Sequence, residues 1–144
     1  MKQEEVHGYK LASRGKRLAA TITEGVLYTI VIIGIYLLFG KSFSYYWEQD
    51  LELIDIPISA VTGLIVGAIF YPIFSGNLGH RIFDLKVISA ETGKDINKGQ
   101  EGAIREMLKY VLGYLLIPLI WLLWDDKKQN LYDKLSKTLV VEKV

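Results

Sequence analysis

The sequence has no cysteine and only two histidines, His7 and His80, among its 144 residues. Without cysteine there is neither a disulfide framework nor a thiolate ligand for a metal ion. Because the two histidines lie far apart in the sequence, we expect no metal site, and nothing in the sequence indicates a cofactor. No nucleophile, base and orienting group can be combined from the remaining residues, so we expect that the protein is not an enzyme.

The sequence also lacks an excess of charge of either sign. Its 17 Lys and Arg residues against 16 Asp and Glu residues give a formal net charge of +1. This balance gives no support for nucleic-acid binding. Hydrophobic residues make up 51% of the chain and are concentrated in long runs, which makes the lipid bilayer the first expected partner.

Two of these apolar runs are long enough to cross a bilayer. Residues 18–39 carry one formal charge, Glu24, and residues 56–74 carry none. At about 1.5 Å per residue, each run covers roughly 30 Å as a helix, which is the thickness of the hydrocarbon core. The first run is too long for a signal peptide and is followed by the second. We therefore interpret both as retained transmembrane helices within one domain, residues 1–144.

A third apolar segment, residues 103–124, is interrupted by Gly113 and Pro118. Proline removes a backbone donor and bends a helix, which is tolerated at membrane depth only where protein covers the freed groups. We expect an amphipathic helix that breaks between these two residues and returns as a re-entrant hairpin. A single tilted span, with the tail on the other side, stays open as the alternative.

The basic residues predict the orientation. The arm of residues 1–17 holds five Lys and Arg residues, whereas residues 41–55 hold Lys41 beside four acidic residues. The positive-inside rule then puts the N-terminus in the cytoplasm of a multi-pass cell-membrane protein, with the aromatic residues 43–47 at the outer interface. Loop 75–102 lies inside, and the lysine-rich tail, residues 125–144, joins it there if the third segment re-enters.

Two short segments favour β-strands. Residues 83–89 alternate in polarity and residues 138–143 are rich in valine. A lone strand leaves backbone groups without partners, so we predict that the two segments pair on the cytoplasmic side. The predicted fold is a mainly α membrane protein with two transmembrane helices, a broken or re-entrant third segment and this small β pairing.

Polar residues form one stripe on the first predicted helix, because spacings of four, three and four residues share a face. They are Arg17, Thr21, Glu24 and Tyr28. An ionised side chain that faces lipid costs about 2.5–3.5 kcal/mol. Glu24 therefore faces protein or water, with Arg17 as the cation within reach, or is protonated, or extends to the nearby interface.

Small residues form a second stripe, on the second predicted helix. Ser59, Gly63 and Gly67 are spaced by four residues, which lets two helices approach closely. The expected partner is either the first helix or a second copy of the chain.

The loop after the second run is rich in glycine and basic residues. The stretch SGNLGHR contains Gly76, Asn77, Gly79, His80 and Arg81, but it lacks the spacing of a phosphate-binding loop. We interpret it as a turn where the chain leaves the membrane.

Taken in order, these segments resemble the RDD family of small bacterial membrane proteins, from residue 14 to about residue 141. The resemblance rests on RLAATITE, SGNLGHRIFDLKVIS, AIREMLKYVLGYLLIP and LYDKLSKTLVVEK. Arg17 matches the family's arginine, Glu24 its first aspartate and Asp133 its second. Glu24 departs from the usual aspartate, His80 from the usual lysine and Asn77 from the usual threonine.

The resemblance implies transport of an unidentified ligand, ion–proton antiport, or regulation of another membrane protein. Two hypotheses follow. In the first, an oligomeric ion- or proton-coupled transporter uses Glu24, assisted by Thr21 and Tyr28. In the second, an accessory protein binds another membrane protein, and its buried charges, Arg17, Glu24, Arg105 and Asp133, are internal struts.

Overall fold

The structure is a computed structural model and describes residues 5–143. Two short strands, β1 and β2, precede a long helix α1, and a 3-10 helix then leads to a second long helix, α2. A short helix α3, a strand β3, three further helices and a strand β4 follow. The bounds are β1 Glu5–Val6, β2 Tyr9–Lys10, α1 Arg14–Leu38, α2 Asp55–Phe74, α3 Leu78–Ile82, β3 Leu85–Ser89, α4 Gly99–Gly113, α5 Ile117–Trp121, α6 Leu131–Leu135 and β4 Thr138–Glu142.

The structure confirms two helices that are long and apolar enough to cross a membrane. They are α1 and the helical stretch Asp55–Ile82, which joins α2 to α3. The predicted runs, residues 18–39 and 56–74, fall within these helices to within one residue. The first helix begins earlier than its apolar run because Ser13 caps it, with the Ser13 hydroxyl oxygen accepting from the backbone N–H of Lys16 at 3.2 Å.

The third apolar segment is broken. Helix α4 starts at Gly99, ahead of the predicted residue 103, and ends at Gly113, and α5 starts at Ile117. Pro118 lies in the first turn of α5, where its missing N–H is not needed for helix formation. The chain therefore turns between two helices in the region that Gly113 and Pro118 marked in the sequence.

The two main strands pair antiparallel, with Leu85 opposite Glu142 and Ser89 opposite Thr138. The segment before α1 extends this pair, because Leu11 forms a bridge with Val141. Strand β3 starts at Leu85 rather than at the predicted residue 83. Helix α3 continues to Ile82, and the residue next to the strand, Asp84, has a left-handed φ of 52°.

Helix α2 packs along α4, with backbone touching backbone. A Cβ atom on Gly63 would lie 2.7 Å from Cα of Met107, and one on Gly67 would lie 2.6 Å from Cα of Ala103. The third member of the small-residue stripe, Ser59, has its hydroxyl 2.6 Å from the hydroxyl of Tyr114. The prediction that the first helix or a second copy of the chain packs on this stripe is wrong, because α4 of the same chain covers it.

Candidate functional site

Six charged side chains from three helices meet in the interior. The cations are Arg17, Arg105 and Lys109, and the carboxylates are Glu24, Glu106 and Asp133. We call this set the charge network. Its members on α4 and α6 include residues with no exposed surface at all: Arg105, Glu106 and Asp133 are each 0% exposed.

Asp133 ties three helices together at one end of the charge network. One carboxylate oxygen accepts from Arg105 Nε at 3.0 Å and from Arg105 Nη2 at 2.5 Å. The other accepts from Arg17 and, at 2.9 Å, from the backbone N–H of Asn130. Burial raises the pKa of Asp133, but the guanidinium groups of Arg105 and Arg17 outweigh burial and hold the pKa below its usual range.

Arg105 and Glu106 form the centre of the charge network. Arg105 Nη1 donates to the Tyr71 hydroxyl at 2.5 Å and to Glu106 Oε1 at 3.1 Å. Glu106 Oε1 also accepts from the Tyr71 hydroxyl at 2.8 Å and from Asn77 Nδ2 at 3.1 Å. The helix packing therefore brings a tyrosine of α2 and the turn after α2 into the same network.

Glu24 lies at the other end and is 4% exposed. It forms an ion pair with Lys109 and accepts from Asn77 Nδ2 at 2.9 Å. The expected pairing with Arg17 is wrong: Arg17 donates to Asp133 and to the carbonyl of Lys128 instead. Arg17 and Glu24 lie about 10 Å apart along α1, and each has a nearer partner of opposite charge on another helix, Asp133 for Arg17 and Lys109 for Glu24.

The predicted turn after α2 is the capped first turn of α3. Asn77 Oδ1 accepts from the backbone N–H of His80 at 2.9 Å, and His80 Nδ1 accepts from the backbone N–H of Asn77 at 3.3 Å. Gly79 lies against the carbonyl of Ala20 on α1, where a side chain would not fit. Gly76 packs on His80, whereas Arg81 is exposed. The turn residues thus aim the Asn77 amide at Glu24 and Glu106.

A cavity of about 220 Å³ lies beside Glu24, between α1 and α4. Its other lining residues are Thr21, Gly25, Tyr28, Lys109, Tyr110 and Gly113. We call it the Glu24 cavity. A second cavity of about 200 Å³ adjoins Glu24 on the side of Phe70 and Leu78. Glu24 therefore lines both cavities, whereas Asp133 and Arg105 line neither of them.

A model of the RDD family matches residues 11–137. The chain belongs to the RDD family. Comparisons with curated proteins and with solved structures give no match. The RDD match includes every member of the charge network and both long helices, and the chain is an RDD-family membrane protein.

Sequence reasoning missed two members of the charge network as site residues, Glu106 and Lys109, and it also missed the buried Tyr71. A signal was present for the first two. Arg105, Glu106 and Lys109 add three charges at spacings of one and three residues to an otherwise apolar segment. No comparable signal marked Tyr71, since one tyrosine in an apolar helix looks like any interfacial aromatic residue.

Proposed function

We propose that this RDD protein is a small ion- or proton-coupled carrier in which Glu24 exchanges its bound cation. The observation that carries the proposal is the place of Glu24. Its carboxylate is buried on a helix that can cross the membrane, holds the ammonium group of Lys109, and adjoins two cavities. Ionisable groups within membrane helices mark ion and proton pathways in many membrane proteins.

Lys109 supplies the means of exchange. Its ammonium group pairs with Glu24 and also lies 3.3 Å from Glu106 Oε2. When a proton or a substrate cation binds Glu24, the ammonium can remain with Glu106 and is never left alone in a low-dielectric interior, where an unpaired charge is costly. The exchange then needs only a small movement of one lysine side chain.

The remaining charges hold the carrier together. Asp133 and its two guanidinium partners connect α1, α4 and α6 and line neither of the two cavities beside Glu24. In this proposal they fix α1 against α4, so that Glu24 and Lys109 meet. Thr21 and Tyr28 lie on the wall of the Glu24 cavity.

The topology that we propose has two full spans, with both termini in the cytoplasm. The segment at Leu11, strand β3 and strand β4 form one sheet-like unit, so the chain before α1, after α2 and after α5 lies on one side. Residues 99–121 enter the membrane beside α2, turn after Gly113 and return. The basic residues near both ends support the cytoplasmic assignment.

Two spans and a hairpin are too few to enclose a pathway across the bilayer, so the proposed carrier works as a homo-oligomer. The exposed apolar faces of α1 and α2 are available for lipid or for a second copy, for example around Ile30 and Ile65.

The test is cation flux driven by a pH gradient in vesicles that contain the purified protein. We expect wild-type flux, and a loss of about 100-fold or more in Glu24→Gln, the scale on which removal of a proton-transferring group acts. The matched control is Glu142→Gln, which removes a carboxylate that pairs with Lys16 at the sheet and should leave the flux unchanged. Equal flux in Glu24→Gln and wild type would overturn the proposal.

A second candidate is an accessory protein that binds another membrane protein. The observation in its favour is that Asp133, Arg105 and Glu106 are sealed and already paired with one another or with neighbours, as struts would be. Purification from native membranes separates the candidates: a stoichiometric partner together with no intrinsic flux supports the accessory role, whereas flux from the protein alone supports the carrier.

A further inference from the structure

We infer that the Glu24 cavity binds a small organic ammonium ion with an apolar or aromatic body. It follows, if the proposed carrier function holds, that this class of cation is what the protein exchanges. The walls of this cavity differ from those of a metal-ion site.

Two glycines and two aromatic rings shape the Glu24 cavity. Gly25 on α1 and Gly113 on α4 are exposed, and a Cβ atom on either would meet nothing within 4 Å. The missing side chains leave a gap between the helices that opens to the surroundings. The rings of Tyr28 and Tyr110 meet edge to face, with centroids 5.4 Å apart, and form an apolar wall that an organic body can contact.

The size of the cavity suits such a ligand. Its volume is about 220 Å³, whereas an apolar protein cavity of about 150 Å³ holds benzene. The space therefore accepts an aromatic ring or a short alkyl chain together with a cationic head group.

The charges in the cavity define which head group fits. Glu24 already holds a primary ammonium, that of Lys109, so a ligand ammonium can take the same place. The face of a tyrosine ring attracts cations.

A hard metal cation fits this site less well. Such ions take about six or more oxygen ligands. The lining side chains that carry oxygen are Thr21, Glu24, Tyr28 and Tyr110, and the Thr21 hydroxyl already donates to the Arg17 carbonyl at 3.0 Å. Glycines and aromatic rings supply the rest of the wall, and they favour an organic cation.

Isothermal titration calorimetry on the purified full chain in detergent tests the inference. The probe is 2-phenylethylammonium, and the neutral analogue 2-phenylethanol is the chemical control. We expect the ammonium to bind at least about ten-fold more tightly than the alcohol, the scale of a hydrogen bond to a charged group. Equal affinity of the two compounds would overturn the assignment.

A cavity-filling variant tests the location. Gly25→Leu places a side chain in the open space, where its Cβ atom meets nothing within 4 Å, and we expect it to abolish binding. Gly34→Leu is the matched control: it lies on the same helix, also has nothing within 4 Å of its Cβ position, and does not line the cavity, so binding should equal that of wild type. Binding that survives in Gly25→Leu would overturn the inference.

The inference and the carrier proposal fail separately. Flux of alkali cations that depends on Glu24, together with no binding of the ammonium probe, overturns the inference and keeps the carrier. If the wild type binds the ammonium probe, Gly25→Leu does not, and the wild type shows no flux of any cation, the inferred site is supported and the carrier proposal is overturned.

Discussion

At the scale of single residues, the charge network is balanced. Three cations face three carboxylates, and each ion pair joins members whose side chains are at most 13% exposed. A buried pair adds little stability compared with apolar packing, but removal of one partner leaves an uncompensated charge. Substitution of one network residue should therefore cost far more than substitution of a surface ion pair.

Asp133→Asn is the sharpest case, because it removes the charge that Arg17 and Arg105 share and leaves Arg105 with Glu106 alone. We expect a loss of about 3–5 kcal/mol in the free energy of unfolding. The matched control is Asp95→Asn, whose carboxyl group is 39% exposed and pairs with Lys86, and which should cost at most about 1 kcal/mol. Chemical unfolding in detergent micelles measures both, and similar losses in the two variants would contradict the assigned role of Asp133.

Asp133 also predicts a dependence of stability on pH. The pKa of Asp133 lies below its usual range in the folded protein, so the unfolded chain takes up the proton first as the pH falls. The contribution of Asp133 is thus complete above its unfolded pKa of about 3.9 and is lost as the pH falls through the folded pKa. The difference in the free energy of unfolding between wild type and Asp133→Asn should therefore become smaller in acid. A difference that stays constant from pH 7 to about pH 3 would argue against the ion pairing.

At the scale of secondary-structure elements, the sequence predicted where helices form better than how they pack. Length and hydropathy located α1 and α2 to within a few residues, and Gly113 and Pro118 marked the break between α4 and α5. The spacing of Gly63 and Gly67 predicted a close approach but did not identify the partner, since a small-residue stripe accepts any helix with a complementary surface. Only the fold shows that α4 fills that role.

Gly67→Leu tests the α2–α4 contact. Its side chain would start 2.6 Å from Cα of Ala103 and would overlap backbone, so we expect a destabilisation of about 1–3 kcal/mol or more. Gly34→Leu, which has open space around it, is the control and should be tolerated. The yield of monodisperse protein and its unfolding midpoint report the difference, and equal behaviour of the two variants would show that α4 does not pack on Gly67.

At the scale of the whole molecule, the candidate site could be predicted only in part from the sequence. The helical spacing grouped Arg17 with Glu24, but their partners lie 116 and 85 residues away, at Asp133 and Lys109. A charge pattern on one helix does not say which distant cation or carboxylate will meet it, because several such residues have the same chemistry. The fold decides this, because α6 places Asp133 beside Arg17 and α4 places Lys109 beside Glu24.

The side of the membrane on which the C-terminal tail lies tests the central claim most directly. The claim is that the chain crosses the membrane twice and re-enters it once as a hairpin, so that both termini lie on the same side and the charge network can form. Single cysteines can be introduced into this cysteine-free chain at three exposed positions, Gln49, Lys94 and Lys127. In intact cells, a membrane-impermeant maleimide should label Gln49→Cys alone and reach Lys94→Cys and Lys127→Cys only after permeabilisation. Labelling of Lys127→Cys from outside would contradict the account.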